Sequence, residues 1–171
     1  MAMTMEGEVM LPAPRERVWA ALNDPEVLRM CIPGVQELEK TGDTEFRATA
    51  KLSIGPVKAT FKGAVALSDL DPPNGYTISG EGQGGIAGFA KGGANVRLDE
   101  VAEGTRLSYD VNAQIGGKIA QLGSRLVNGV AKRYADEFFA NFARIVAPAD
   151  EASPDQASSE QAPSEQASSG Q

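Results

Sequence analysis

The sequence predicts an α+β domain, with one antiparallel sheet of about seven strands covered on one face by helices. Three observations carry this. Segments with period-two alternation of apolar and polar residues recur between turn signals at regular spacing. Two short helical segments interrupt that pattern directly after the first strand. The last periodic segment, from Ile119 to Ile145, repeats at three or four instead of two.

Taken in order, Met5, Gly7, Val9 and Leu11 alternate with Glu6, Glu8 and Met10, and Pro12 and Pro14 stop that strand. A short helix is expected over Arg15 to Leu22, with Val18, Trp19 and Leu22 on one side. Asp24 is a good N-cap and Pro25 a good first helical residue, so a second short helix should run to Met30. Turns follow at Thr41-Gly42-Asp43, Gly55-Pro56, Asp71-Pro72-Pro73-Asn74-Gly75 and Glu103-Gly104. The strands between them place Phe46 to Ile54, Val57 to Leu67 and Leu107 to Ala113 with alternate residues inward. Ile119, Leu122, Leu126, Val130, Tyr134, Phe138, Phe142 and Ile145 then predict one amphipathic helix of about seven turns. From Ala147 to Gln171 there is no aromatic or β-branched residue, and the near-repeat Asp155-Gln156-Ala157-Ser158-Ser159 returns at Glu165. Such a segment cannot bury enough surface to offset its ordering entropy. The sequence therefore predicts a folded domain over 1–146 and a disordered polar tail over 147–171.

Composition removes several function classes. The net charge is -7, yet five acids (Asp150, Glu151, Asp155, Glu160, Glu165) lie in the tail, which has no Lys or Arg. Without them 18 acidic residues face 16 basic ones, so the body is nearly neutral and nucleic acid is not an expected partner. The chain has no histidine and a single cysteine, Cys31. The commonest general base and the commonest metal ligands are thus missing, and neither catalytic residues nor a metal site are expected. No apolar run approaches the roughly 20 residues of a membrane span, and no signal-peptide pattern is seen at the N-terminus. A cytoplasmic location is the expectation.

The expected inner face is unusual in the size of its residues. Ala48, Ala50, Ala59, Gly63, Gly80, Ala90, Gly92, Ala94 and Ala113 all fall on it, and Gly123 and Gly129 are assigned to the facing helix. A close-packed core needs large side chains to fill the gap between layers. Two readings follow: the helix lies unusually close to the sheet, or an apolar cavity separates them, with Trp19, Phe61, Tyr109, Phe138 and Phe142 as ends and walls. In the second reading the hydroxyls of Tyr109 and Tyr134 are the candidates to hydrogen-bond a ligand carbonyl.

Some strings imitate chemical motifs. Gly80-Glu81-Gly82-Gln83-Gly84-Gly85 has the letters of a dinucleotide fingerprint but is followed by a strand pattern, not a helix. Its glycines instead predict bulges or a flexible flap at a pocket mouth. Gly116-Gly117-Lys118 lacks the rest of a P-loop and reads as the entry to the long helix. Lys132-Arg133 reads as that helix's solvated face.

Four strings together, Cys31-Ile32-Pro33-Gly34-Val35, Gly88-Phe89-Ala90-Lys91-Gly92, Gly116-Gly117-Lys118-Ile119-Ala120-Gln121-Leu122-Gly123-Ser124-Arg125 and Ala135-Asp136-Glu137-Phe138-Phe139, resemble the CoxG family. That family, named for the G component of carbon monoxide dehydrogenase, sits within the helix-grip (START/SRPBCC-like) superfamily. The resemblance covers about Met5 to Val146. It implies a curved antiparallel sheet gripping a long C-terminal helix around an apolar cavity. It also implies an accessory role beside a molybdenum hydroxylase of the carbon monoxide dehydrogenase type, linking that enzyme to the membrane and its quinone pool. Some members end in a hydrophobic anchor, whereas this chain ends in a polar tail, so transient contact at the inner face of the cell membrane is the expectation. The leading functional reading is a non-catalytic carrier of a hydrophobic molecule, for which an isoprenoid quinone is the first candidate. The expected lining is Met30, Cys31, Phe61, Ala90, Ala94, Tyr109, Ala113, Leu122, Leu126, Val130 and Tyr134. A ligand-free assembly or membrane-recruitment factor is the alternative, and a helix-grip cyclase or hydrolase the third reading.

Overall fold

The computed structural model describes residues 1–148. The chain runs β1 (Ala2–Leu11), α1 (Arg15–Leu22), α2 (Pro25–Cys31), β2 (Val35–Gly42), β3 (Glu45–Ile54), β4 (Val57–Asp71), β5 (Gly75–Gln83), β6 (Phe89–Val101), β7 (Gly104–Gly116), α3 (Lys118–Gln121) and α4 (Ser124–Val146). All seven strands form one antiparallel sheet in the order β1-β7-β6-β5-β4-β3-β2. Strands β2 to β7 are a meander, because each is joined to its neighbour by a short connection. The first strand closes the far edge beside β7, and α1 and α2 carry the chain from that edge to the other.

The two short helices arise as their sequence signals dictate. The Asp24 side chain accepts from the Glu26 N–H at 2.9 Å and Pro25 occupies the first turn, so α2 starts without an orphaned donor there. The predicted seven-turn helix, however, is broken. Gly123 has φ +95 and Leu122 sits in an elbow between α3 and α4, so the apolar repeat spans two helices. A positive φ cannot be part of a right-handed helix, and only glycine adopts it without steric cost. Gly129 also departs from its expected place: it lies on the solvent side of α4, where an added Cβ would meet nothing within 4 Å.

The buried apolar residues gather in two separate clusters. The larger one joins Leu11, Val18, Leu22, Cys31, Leu38, Phe46, Leu67, Tyr76, Leu98, Leu107, Phe142 and Val146 around α1, α2 and the C-terminal half of α4. The smaller joins Met3, Ile115, Ile119 and Val127 at the opposite end. Ala147 is buried and its carbonyl accepts from Arg17 at 3.2 Å, so the packed body reaches one residue past the expected boundary. Of the low-complexity tail expected over 147–171, residues from 149 onward lie outside the described residues.

Candidate functional site between the sheet and the long helix

Strand register decides which side chains share the inner face, since directly paired residues of an antiparallel ladder point the same way. One row of partners runs Phe46, Val65, Gly80, Gly92, Ala113 and Met3. The next runs Leu38, Ala48, Gly63, Gly82, Ala90 and Ile115. Each row is built of alanine and glycine across the centre of the sheet and meets large buried residues only toward its two edges. The alternation assigns Ala48, Gly63, Gly80, Ala90, Gly92 and Ala113 to one common face, as the register shows, and Gly82 joins them through the register alone.

Accessibility separates this region from the rest of the inner face. Leu98 and Leu107, paired on the same face nearer α1, are each 1% exposed. Ala48, Gly63, Gly80, Gly82, Ala90, Ala94 and Ala113 are all only half-buried. The helix does not press onto the middle of the sheet; it is fastened along its sides. The Tyr134 hydroxyl accepts from the Ser53 N–H at 3.0 Å and donates to the Ser53 carbonyl at 3.1 Å. The Asn141 amide donates to the Cys31 carbonyl at 3.1 Å. Toward β7, Phe139 stacks on Tyr109 with ring centroids 5.3 Å apart, and Phe138 and Phe142 continue the aromatic run. An aromatic wall thus stands at one end of an apolar floor of very small side chains.

Not every glycine in the floor makes room. A Cβ on Gly92 would lie 2.1 Å from the Asn112 carbonyl oxygen, so glycine there is required by the close approach of β7. Gly82 differs, with its nearest neighbour 3.8 Å from an added Cβ. On the floor, Gly82 leaves room for a side chain, while Gly92 is needed for the close pairing of β6 with β7.

The expected lining residues do not all converge. Ala90, Ala94, Ala113 and Tyr109 lie on the inner face, Phe61 stands over Gly84, and Val130 is buried on the sheet side of α4. Leu126 packs against the β3–β4 turn, 3.1 Å from where a Cβ on Gly55 would sit, and Leu122 occupies the elbow. Met30 is 62% exposed and Cys31 fully buried in the larger cluster, so neither forms part of the inner wall. The pattern around Cys31 shows a buried helix end but not which side of α2 meets the sheet. The Tyr134 hydroxyl both donates to and accepts from Ser53, which removes it from the candidate ligand contacts. The Tyr109 hydroxyl makes no hydrogen bond among the described residues, and it lies 2.7 Å from the position of a Cβ on Gly7. The expected lining left out Phe139, Val65, Ile78 and Val111, although the alternation already places Val65 and Val111 inward. Ile78 and Val111 flank Ala94 in register, a relation that only strand pairing reveals.

Burial pushes the Cys31 thiol from an ordinary 9.0 to about 11, against a smaller opposing pull from Arg144. The Tyr76 hydroxyl is raised by the same desolvation. Both groups hold their protons in the fold beyond the pH at which the unfolded chain releases them. Stability should therefore fall as pH rises from 9.0 toward 11. At pH 8 the native thiol, short of thiolate and 0% exposed, should react with an aromatic disulfide at least about a hundredfold more slowly than the unfolded chain. Equal rates would show that the α2 end opens freely.

Broad depressions on the outer face of the sheet are lined chiefly by polar and charged side chains, including Glu37, Glu39, Arg47, Lys62 and Glu81 in one and Glu6, Glu8, Asp71 and Asp110 in another. They suit an apolar molecule poorly. No helix among the described residues is long and apolar enough to cross a membrane.

Against this geometry, the family model of CoxG, the G component of carbon monoxide dehydrogenase, matches residues 7–147. The chain belongs to the CoxG family. A conserved protein from Geobacillus kaustophilus is 31% identical, with TM-score 0.77 over 85% of this chain and 95% of that one. The Zhui aromatase/cyclase from Streptomyces sp. R1128 superposes with TM-score 0.62 over 85% of this chain and 94% of that one, at 14% identity. Ara h 8.0201 does so with TM-score 0.61 over 85% and 98%, at 18% identity. The last two share the helix-grip fold, the curled seven-stranded sheet around a long C-terminal helix that the CoxG resemblance implied. No curated protein matches the chain.

Proposed function

We propose that this CoxG-family protein is a non-catalytic carrier that holds an isoprenoid quinone between the sheet and α4. In this reading it serves a molybdenum hydroxylase of the carbon monoxide dehydrogenase type. It works in the cytoplasm at the inner face of the membrane and passes quinone between that enzyme and the lipid phase. The observation that carries the proposal is the alanine and glycine floor, which stays half-buried although Ala48 packs against the larger core cluster and Ala90 and Ala113 against the smaller. A quinone ring and tail placed there would leave water at roughly 25 cal/mol per Å² of apolar surface. The free Tyr109 hydroxyl, beside the Phe139 ring, is the one polar group we assign to a quinone carbonyl. The absence of histidine from the chain argues against acid–base turnover in the same space.

Organic extraction of the protein from its native host, followed by mass spectrometry, should release a quinone in near-stoichiometric amount. Titration of the stripped protein with a short-chain menaquinone should quench Trp19 or tyrosine fluorescence saturably. An empty extract together with no saturable binding would favour the ligand-free recruitment factor.

A further inference from the structure

The hairpin of β3 and β4 reaches beyond the strands on either side of it. Pairing of β2 with β3 ends at Val35 and Ala50, and pairing of β4 with β5 ends at Lys62 and Gln83. Past those limits, toward the Gly55-Pro56 turn, the two strands pair only with each other among the described residues. A bare two-stranded hairpin is marginal in water and needs packing to hold its place. This finger has little of it. Its inward side chains Leu52, Ile54, Val57, Ala59 and Phe61 are half-buried, and none is buried outright. At its base Gly63 pairs with Gly82, two residues with no side chains to stiffen a bend.

What the sheet does not hold, α4 does. The Lys51 N–H donates to the Gly34 carbonyl at 2.8 Å, the last bond on the β2 side. Ser53, two residues on, turns its N–H and carbonyl the same way. It meets the Tyr134 hydroxyl there in place of a strand, at 3.0 and 3.1 Å. At the tip, Leu126 lies 3.1 Å from the position of a Cβ on Gly55. The Tyr134–Ser53 contact is exposed, so water replaces both hydrogen bonds when it opens and neither group is left unsatisfied. The other two fastenings of α4 are of a different kind, because Asn141 and Phe139 hold it to Cys31 and Tyr109, in or against the larger core cluster.

We infer that this finger is a flap over the space between the alanine floor and the first half of α4, latched by Tyr134 and Leu126, and that it swings to admit an apolar molecule. The helix is the fixed partner, since Phe142 and Val146 seat its C-terminal half at 0% and 1% exposed. The finger instead turns on a single pair of strands, the low-stability end of the fold. It is a different element from the glycine-rich segment 80–85, whose sequence predicts a flap but whose strand is paired on both sides as far as Gln83. The inference rests on the carrier reading for what the flap admits.

Stopped-flow kinetics with the short-chain menaquinone test this in the full chain. Tyr134→Phe removes the latch and should raise the association and release rates together, each about tenfold, with Kd nearly unchanged. A merely structural Tyr134 would raise release alone. Gly55→Cys with Leu126→Cys places two thiols at the tip, where the Leu126 Cγ lies 3.7 Å from the Gly55 Cβ position, within reach of a disulfide. Oxidation should slow both rates at least about tenfold. The reduced form of the same protein is the control, because it carries the same strain of a side chain at φ +61. Cys31, at 0% exposed, stays out of the thiol chemistry. Nitroxides at Lys58→Cys and Asn128→Cys, both exposed positions, read the flap without a ligand. Adding Tyr134→Phe should bring in a second, longer distance by electron paramagnetic resonance. A single unchanged distance in Tyr134→Phe, or equal rates in the oxidised and reduced forms, would overturn the flap. Saturable quinone binding with that single distance leaves the carrier and removes the flap. No quinone binding by the parent, with the second distance present in Tyr134→Phe, removes the carrier and leaves the flap.

Discussion

Replacing Ala94 or Ala113 with phenylalanine should abolish binding of the short-chain menaquinone while the protein keeps its fold. Both alanines lie half-buried on the inner face, Ala94 between Ile78 and Val111 in register and Ala113 between Gly92 and Met3. A benzyl group there would occupy the space over the floor that a ligand ring needs. The loss should exceed about a hundredfold in affinity if the ring can no longer enter, about 3 kcal/mol or more. If α4 were instead packed tightly on the sheet, the same substitution would be overpacking. It would then cost about 1–3 kcal/mol in stability with no binding to lose. Isothermal titration and thermal melting on the same samples distinguish these outcomes. Asn112→Ala is the suitable outward control. Asn95 is less suitable, because its side chain accepts from Thr77 at 3.0 Å and donates to Asp110 at 3.0 Å on the outer face.

The largest loss of stability is expected from Phe142→Ala. Phe142 is 0% exposed, stacks on Phe138 at 5.8 Å, and belongs with Val18, Cys31 and Val146 to the cluster where α4 meets α1 and α2. Truncation removes the buried ring and leaves a cavity that fixed secondary structure cannot collapse to fill, costing about 3–5 kcal/mol. The melting temperature should fall by on the order of 10 °C. This end of the helix is packed to completion, unlike the middle, so the two substitutions probe opposite features of one layer. A Phe142→Ala protein that melts within about two or three degrees of the parent would mean the clusters do not carry the stability assigned to them.

The alternation of residues in the chain was enough to place the strands, their turns and the inward set of small side chains. That succeeded because β-structure has a period of two, and a half-buried sheet needs the same polarity along every strand. Asp24 and Pro25 likewise marked α2, since capping is a local matter of one side chain and the next few N–H groups. The elbow at Gly123 was present as a letter but not legible as a break, because the apolar spacing continues across it. A change of direction preserves spacing, and only a φ of +95 exposes it. The fates of Met30, Cys31 and Tyr134 were also beyond the chain itself. Each depends on which side of a helix meets which strand, and on whether a hydroxyl finds a backbone group 81 residues away. Small inward residues were written in the sequence. Whether the helix closes on them was decided by the anchors at Ser53, Cys31 and Tyr109, which hold α4 by its sides and leave the centre of the sheet half-buried.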